Sequence, residues 1–400
     1  MDTEVAVVGA GPYGLSTAAH LRQRGADVAV FGQPLETWRS HMPAGMLLKS
    51  DGFASSLDTP TPGWRLSDYC ARSNLAYGDK EPRVQLDTFV DYGLAFQQAQ
   101  VPDLDTRLVD GLEPVPGGFR LTLEDGATVG ARRVVVAVGI SHFARVPTEL
   151  GPLGSRVTHS TRHRYFDEFA GRRVVVVGAG SSAVEVAASL LDVGADVRLV
   201  TRRQRLNFWG VPHPNPTWKQ RLRNPPSGLG GGWRPKLSQD LPDVFRLLPA
   251  ERRLLIVRTL LGPASGWWLR EKVEGGVQLV PKSRVLSADV EGDEAVLHVE
   301  NVDGEKSELR ADHVIAATGF ASDLDRLPFL APSLRSSIAR VGAMPELSYR
   351  FESSAPGLSF VGPVAAGSFG PLMRFMVGAE FAAPRVAKAL TRRSVRRRRG

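Results

Sequence analysis

The chain has 400 residues, which is long enough for two or three domains, and its hydrophobic content of 42% is ordinary for a globular protein. No apolar run reaches the roughly 18 residues of a membrane-spanning helix. No signal peptide is visible at the N-terminus, so we expect a cytoplasmic location. Cys70 is the only cysteine, which excludes an intramolecular disulfide, a two-cysteine redox pair and a thiolate zinc site. No metal site is predicted.

The net charge of +8 is concentrated at the C-terminus. Six arginines lie within residues 391–400, and the rest of the chain carries only +2. A basic tail can bind nucleic acid or anionic lipid. We predict instead that this tail is solvated and disordered, and we expect no nucleic-acid partner.

The first 31 residues predict a strand, a helix and a second strand. Residues 5–8 are apolar and precede a glycine-rich turn. Apolar residues recur near one face of residues 15–24, and Gly25 stands where a helix-terminating glycine belongs. Residues 28–31 form the next apolar run. This order opens a doubly wound parallel sheet.

The first glycine turn has the pattern of a dinucleotide-binding site. Gly9 allows the tight turn, Gly11 lets the backbone approach a pyrophosphate, and Gly14 lets helix and strand pack closely, with Pro12 between them. The pyrophosphate then lies at a helix N-terminus, where free N–H groups favour anions. No acidic residue directly follows the second strand, and we expect Gln33 to contact the ribose as a neutral group.

The following segments predict further elements of the same domain. Residues 32–62 form a loop-rich segment with aromatic and methionine side chains that suits a wall around a planar ligand, although these side chains also suit a core. Residues 86–99 predict a helix with a packed aromatic stripe. Residues 119–129 predict a hairpin around an Asp-Gly turn, and residues 134–138 a buried strand ending at Gly139.

A second glycine turn follows the apolar residues 174–177. Gly178 and Gly180 occupy the first two glycine positions, Ala183 replaces the third, and we expect Ser181 and Ser182 to lie at the start of the helix that contacts the cofactor. The helix is predicted over residues 184–191.

Two arginines follow the next predicted strand, at residues 197–200. An acidic residue at this place would bind the ribose hydroxyls of NAD, whereas an arginine accommodates a 2′-phosphate. Arg202 and Arg203 stand there, and guanidinium matches phosphate in charge and geometry. The second site therefore favours NADPH over NADH.

Residues 205–270 differ from the rest because they are rich in proline, glycine and tryptophan. We predict an excursion that folds over the cofactor cleft. The remaining predicted elements are strands at residues 277–280, 285–290, 295–299, 314–317 and 358–361, and a helix over residues 371–390 that Pro384 interrupts.

Together these motifs make the chain resemble the class B flavin-dependent monooxygenases, which include the Baeyer–Villiger and N-hydroxylating enzymes. The resemblance covers most of the chain and rests on the two glycine turns in this order. It also rests on segments similar to family motifs, at residues 37–45, 159–171, 316–320, 360–362 and 367–374.

The resemblance implies an α/β fold with two three-layer, Rossmann-like domains that have parallel sheets. The FAD-binding domain is expected at residues 1–147 and 315–400, and the inserted NADPH-binding domain at residues 148–314. Further FAD contacts are implied in motifs at the ends of strands and in the loop that resembles the flavin-binding segment, namely at Trp38, Arg39, Gly139, Thr318, Gly319, Gly362 and Gly370.

The resemblance also implies the chemistry. NADPH reduces FAD, the reduced flavin reacts with molecular oxygen to a C4a-(hydro)peroxide, and this oxidises a nitrogen, a sulfur or a carbonyl of a small organic substrate. Lys49, Ser50, His159 and Arg374 are the candidate catalytic residues, since a donor or cation is needed near the flavin. Each of them also fits a structural role.

Two other functions remain open. An NAD(P)H-dependent flavoprotein reductase or oxidase would use the same cofactors without inserting oxygen. A non-catalytic, flavin-binding redox sensor would keep the fold without turnover, although the intact glycine turns argue against it. A dithiol mechanism is excluded because Cys70 has no second cysteine. The sequence does not predict an oligomeric state.

Overall fold

A computed structural model describes residues 1–211, 217–262 and 264–391. Arginines 392–399 of the predicted disordered tail lie outside the described residues, whereas Thr391 ends the last helix. Within the described ranges, no helix combines the length and the apolar character needed to cross a bilayer.

The strands of the described residues are β1 Thr3–Val8, β2 Val28–Phe31, β3 Val109–Val115, β4 Gly118–Leu123, β5 Thr128–Val136, β6 Val157–His159, β7 Arg173–Val177, β8 Asp196–Val200, β9 Gln278–Val280, β10 Ser283–Glu291, β11 Glu294–Asn301, β12 Lys306–Ala311, β13 His313–Ala316, β14 Arg340–Val341, β15 Met344–Pro345 and β16 Leu358–Phe360.

The α-helices of the same residues are α1 Pro12–Gln23, α2 Glu36–Ser40, α3 Leu66–Arg72, α4 Leu86–Gln100, α5 Ser181–Asp192, α6 Trp218–Arg223, α7 Trp233–Asp240, α8 Pro242–Phe245, α9 Ala250–Thr259, α10 Arg270–Gly276, α11 Pro332–Ser337, α12 Ala366–Phe369 and α13 Ala379–Thr391.

In the first sheet β1 lies between β2 and β5 and is parallel to both. β16 also pairs in parallel with β5, and β4 and β3 extend the sheet as an antiparallel ribbon. The buried side chains of α1 and α4 belong to the core that covers this sheet, including Leu15, Leu21, Phe89 and Phe96. The aromatic stripe predicted on α4 is thus core packing.

One strand corrects the sequence prediction. The two strands expected at residues 127–129 and 134–138 are a single strand, β5. Its first half pairs with β4 and its second half with β1, so it belongs to both the hairpin and the parallel sheet. The predicted Asp-Gly turn is present, with Gly126 at φ +83°.

The second sheet has the order β6-β13-β7-β8-β9 and is parallel throughout. Val174 and Val176 face the core beneath α5, whereas Val175 faces the core shared with β10 and β11. Successive side chains of a strand point to opposite faces, so β7 is buried on both sides. Helix, parallel sheet and antiparallel sheet form the three layers.

The second sheet is inserted into the first, because β6 to β13 lie in the chain between β5 and β16. The predicted fold class is confirmed: an α/β protein in which a wholly parallel sheet is inserted into a sheet with a parallel part and an antiparallel ribbon. The domain boundaries, residues 1–147 with 315–400 and residues 148–314, stay a prediction.

The last helix begins later than predicted. Residues 371–374 and 376–378 form short 3₁₀ turns, and α13 starts at Ala379. The hydroxyl of Tyr13 donates to the carbonyl oxygens of Met373 and Phe375, at 3.1 and 2.8 Å. This contact binds backbone oxygens that a continuous helix would use internally. Pro384 lies inside α13 without ending it.

Candidate functional site

The predicted cofactor residues lie at or just after the carboxyl ends of parallel strands, which is the edge where ligands bind in doubly wound sheets. In the first sheet these residues are Gly9, Gln33, Gly139 and Gly362, following β1, β2, β5 and β16. In the second sheet they are Gly178, Arg202 and Thr318, following β7, β8 and β13, and the candidate catalytic residue His159 ends β6.

The first glycine turn needs its glycines for space. A β-carbon on Gly9 would lie 2.4 Å from the Ala137 carbonyl oxygen, and one on Gly14 would lie 1.9 Å from the Gly9 carbonyl oxygen. A β-carbon on Gly11 would meet nothing closer than the Trp38 ring at 3.9 Å. Gly9 and Gly14 therefore close the turn, whereas Gly11 leaves an open surface where a pyrophosphate fits.

Helix α1 starts at this open surface with Pro12 in its first turn, and no side chain caps its N–H groups. Uncapped N–H groups at a helix start can receive an anion. The Trp38 ring borders the turn and packs against Phe89, with 5.5 Å between centroids. Arg39 is exposed and lies 3.4 Å from the Pro34 carbonyl oxygen through Nη1.

Gln33 is exposed just beyond β2, and its amide nitrogen donates to the Thr106 carbonyl oxygen at 3.0 Å. The second amide N–H and the amide oxygen are left to face a ribose, and the ribose contact of Gln33 stays a prediction. Gly362 and Gly370 have φ angles of +79° and +84°, where glycine is favoured. A β-carbon on Gly362 would lie 3.4 Å from Tyr13, close to the start of α1.

The second glycine turn repeats the first with one difference. A β-carbon on Gly178 would lie 2.3 Å from the Ala317 carbonyl oxygen, as on Gly9. Ala183 replaces the third glycine, and its methyl group is buried in the core beneath α5. Helix α5 also has no side-chain cap beyond Gly180, and Ser181 and Ser182 are half-buried.

Arg202 and Arg203 follow β8, as predicted. Arg202 is exposed, and its side chain forms no hydrogen bond or ion pair with the described residues. Arg203 is half-buried and its backbone N–H donates to the Thr201 hydroxyl at 3.0 Å. Two cations therefore stand at the edge where the 2′-phosphate of a dinucleotide would lie.

Lys49 joins the two halves of the chain at the second turn. Its ammonium group lies 3.4 Å from the Ser181 hydroxyl and donates to the Ala264 carbonyl oxygen at 3.1 Å. The Ser181 hydroxyl donates to the same carbonyl oxygen at 2.8 Å, and the Trp209 ring lies 5.5 Å from the ammonium. A loop of the first domain, the start of α5 and the excursion therefore meet at the ammonium group of Lys49. We call Lys49, Ser181, Ala264 and Trp209 the Lys49 junction.

A carboxylate that the sequence analysis missed lies near this junction. Glu185 lies on α5, and its carboxylate has no hydrogen-bond partner among the described residues. Burial and the charge of Arg374, opposed by the charge of Glu185, together lower the pKa of Lys49 to about 8. Burial raises the pKa of Glu185 to about 7. Both groups can exchange a proton near neutral pH.

The other candidate catalytic residues have structural partners. Arg374 donates to the Val257 carbonyl oxygen at 2.9 Å, in the last turn of α9, and contributes its charge to the junction. The hydroxyl of Ser50 lies 2.8 Å from that of Ser55. Arg374 therefore lies close enough to Lys49 for its charge to lower the lysine's pKa, whereas Ser50 lies in a local loop network.

His159 is buried at the end of β6, and burial lowers its pKa. One ring nitrogen lies 3.3 Å from the Gly319 carbonyl oxygen, and its ring packs edge-on against Phe320 at 5.4 Å. Thr318 donates to the Arg145 carbonyl oxygen. These contacts hold the connection between the sheets. Gly139 has φ +66° and nothing within 4 Å of a β-carbon position.

Known proteins resemble this chain in sequence and in fold. Indole-3-pyruvate monooxygenase YUCCA1 of Oryza sativa subsp. japonica is 30% identical over 213 residues, 49% of this chain and 47% of that protein. A ferredoxin–NADP reductase of Gluconacetobacter diazotrophicus is 30% identical over 204 residues, 46% of this chain and 58% of that protein. The match spans about half the length of these curated relatives.

Among solved structures, the ornithine N-hydroxylase of Kutzneria sp. 744 superposes with a TM-score of 0.75 at 16% identity, covering 98% of this chain and 99% of that one. This likeness shows the fold. The predicted similarity to flavin-dependent monooxygenases is confirmed by these matches. Residues 3–219, more than half of the chain, match one family over both glycine turns. The chain belongs to the pyridine nucleotide-disulphide oxidoreductase family.

Proposed function

We propose that the protein is an FAD-dependent, NADPH-consuming monooxygenase that oxidises a small organic molecule with molecular oxygen. The observation that carries the proposal is the Lys49 junction, because it joins the first domain to the helix of the second glycine turn. Two dinucleotides bound at these turns would face each other across it, as hydride transfer requires. We also propose a cytoplasmic location.

The first turn fits FAD. Its pyrophosphate would lie over Gly11 at the uncapped start of α1, and the Trp38 ring would cover it from the side. Tyr13 fixes the segment at residues 373–375 beside α1, so that segment can close the flavin end. When bound, FAD would take electrons from NADPH and pass them to oxygen. The protein's own part is to bind, to orient and to exclude water.

The second turn fits NADPH. Its pyrophosphate would lie at the uncapped start of α5, with the 2′-phosphate near Arg202 and Arg203. Lys49 and Glu185 then flank the same helix start. With a pKa of about 8, Lys49 can stabilise developing negative charge as a cation or give up a proton, and Glu185, with a pKa of about 7, can accept one.

His159 and Arg374 act as positioning residues in this proposal, since each holds a backbone carbonyl of the neighbouring domain or excursion. Ser50 would act through the loop that carries Lys49. The relatives named as indole-3-pyruvate and ornithine oxygenases act on nitrogen- or carbonyl-bearing small molecules. We propose a substrate of that chemical class.

A reductase is the second candidate, and the match to ferredoxin–NADP reductases favours it. It would use the same two cofactors and give its electrons to a protein or a small acceptor. The single, buried Cys70 leaves no dithiol to receive them within the chain. The two candidates therefore differ in whether oxygen enters a product.

The test follows the electrons from NADPH. The FAD-loaded protein is reduced with NADPH and mixed with air-saturated buffer, without substrate and with a panel of amines, thioethers and ketones. For a monooxygenase without substrate, we expect hydrogen peroxide to be released more slowly than the absorbance of the reduced flavin disappears. A substrate lowers the peroxide-to-NADPH ratio well below one and takes up ¹⁸O from labelled oxygen. One peroxide per NADPH at the rate of flavin reoxidation, with every compound, would favour the reductase.

A further inference from the structure

The excursion carries most of the large hydrophobic side chains that are exposed in the described part of the chain. Of seventeen such side chains in the described ranges, nine lie between residues 211 and 255. Trp218 is 70% exposed, Leu222 60% and Trp233 50%. Single exposed hydrophobic residues need no explanation, but a concentration of them marks an interaction surface.

Four of these side chains lie in pairs on α6 and α7, the first two helices of the excursion. Trp218 and Leu222 are four residues apart on α6, and Trp233 and Leu237 are four apart on α7, so each pair shares a helix face. The indole nitrogen of Trp233 donates to the Leu222 carbonyl oxygen at 3.0 Å, which joins the start of α7 to the end of α6. The two exposed pairs therefore lie on neighbouring helices.

Positive charge surrounds these apolar side chains. Residues 197–239 contain nine arginines and lysines and no aspartate or glutamate. Four of the cations, Lys219, Arg221, Arg223 and Arg234, are exposed on α6 and α7, and none of the four forms an ion pair with a described residue. We call the four apolar and these four basic side chains the basic-aromatic face.

We propose that the basic-aromatic face docks the protein on an anionic lipid bilayer. Tryptophan and leucine between unpaired cations are the composition of an interfacial segment, since the apolar groups enter the headgroup region and the cations meet anionic lipid. A second copy of the chain is disfavoured as the occupant, because a symmetric contact would press two positive, carboxylate-free surfaces together. The six tail arginines add the same sign of charge to the full chain.

Vesicle co-sedimentation tests the proposal with the full-length, FAD-loaded protein. The probes are phosphatidylcholine vesicles with and without phosphatidylglycerol. We expect binding to the anionic vesicles only, weakened by salt because the attraction is screened. Replacing all six tail arginines by glutamine separates the tail from the face, and binding should weaken but persist.

Two double variants address the face itself. Arg221→Gln with Arg234→Gln should lower the apparent affinity for anionic vesicles about 25-fold, at about fivefold per charge. Trp218→Ala with Trp233→Ala should lower it at least about tenfold and remove the blue shift of tryptophan fluorescence on binding. The matched controls are Arg24→Gln with Arg132→Gln and Tyr165→Ala, exposed residues elsewhere that should leave binding unchanged.

Unfolding midpoints and FAD content identical to the original protein show that each variant is folded. Three results would overturn the proposal. One is failure to bind anionic vesicles, or equal binding to neutral ones. Another is a face variant that binds like the original protein. The third is loss of self-association, or of oligonucleotide binding, in the face variants while vesicle binding is unaffected, which would assign the face to a second copy or to nucleic acid.

Discussion

The two glycine turns share one geometry, but the protein encloses them differently. Residues 12–21, which follow the first turn, are buried, and the Trp38 ring lies beside it. At the second turn Ser181 and Ser182 are half-buried, and the groups that cover them, Lys49 and Ala264, come from other parts of the chain.

This difference matches the lifetimes that the proposed cofactors need. A cofactor that stays bound through many turnovers benefits from a site built into its own domain. A cofactor that leaves after each turnover needs a site whose cover can separate from it. The first turn suits a resident dinucleotide and the second an exchanging one, and the following changes break or sharpen that contrast.

The largest effect is expected from Gly14→Ala. The added methyl group would lie 1.9 Å from the Gly9 carbonyl oxygen, so α1 must move away from the turn. We expect a loss of at least about 3 kcal/mol in the free energy of unfolding and loss of bound FAD. Urea unfolding and flavin absorbance measure both. The control is Ala183→Gly at the matching position of the second turn, which should retain FAD; a Gly14→Ala protein with normal FAD content would contradict the packing argument.

Next in size is Arg202→Gln combined with Arg203→Gln. Loss of two charge-assisted contacts to a 2′-phosphate should weaken NADPH binding about 100-fold, and NADH binding only slightly. Titration of both nucleotides measures the ratio, with Arg205→Gln, an exposed neighbour, as control. Equal losses for NADPH and NADH would refute the assignment of the second site.

A smaller effect concerns the pH dependence of stability. The pKa of Glu185 is raised by burial to about 7, so the folded protein holds a proton that the unfolded chain releases above its ordinary pKa near 4.5. Stability is therefore present at low pH and lost as the pH rises towards 7, by on the order of 2 kcal/mol. The free energy of unfolding, measured without NADPH between pH 4.5 and 7.5, should depend less on pH in Glu185→Gln than in the original protein. Glu124→Gln, which removes an exposed carboxylate, should leave that pH dependence unchanged.

The smallest effect is expected from Lys49→Met. Removal of a cation whose pKa is about 8 should slow flavin reduction by NADPH about tenfold and abolish its dependence on pH between 7 and 9. Stopped-flow absorbance measures the rate. The control is Lys306→Met, which removes an exposed lysine on β12 and should behave like the original protein. If the rate of flavin reduction in Lys49→Met depends on pH as in the original protein, Lys49 takes no part in that step.

The parts of this structure that the sequence predicts are local. Apolar runs followed by glycine identify both β-α-β units, because strand, turn and helix lie within about 30 residues. The Asp-Gly turn before β5 is equally local. The continuity of β5 was not predicted, since the exposed Arg132 interrupts the apolar pattern where the strand passes from one partner to another.

The Lys49 junction could not be predicted from the sequence. Lys49 and Ser181 are 132 residues apart, and Ala264 is 83 residues further on. Glu185 occupies a position on α5 that helical periodicity assigns to the solvent side, yet its carboxylate is buried near Lys49. A raised pKa of this kind arises from long-range packing, which no spacing rule encodes. The late start of α13 has the same origin, in the Tyr13 contact.

The hydroxyl of Ser181 has one proton, and the structure commits it to the Ala264 carbonyl oxygen. A dinucleotide phosphate that accepts a hydrogen bond from this hydroxyl competes with the Ala264 carbonyl oxygen for the same donor. By thermodynamic linkage, the affinity of the nucleotide then includes the free energy of breaking the bond to Ala264. Any change that loosens residues 264–266 would tighten nucleotide binding without touching the nucleotide.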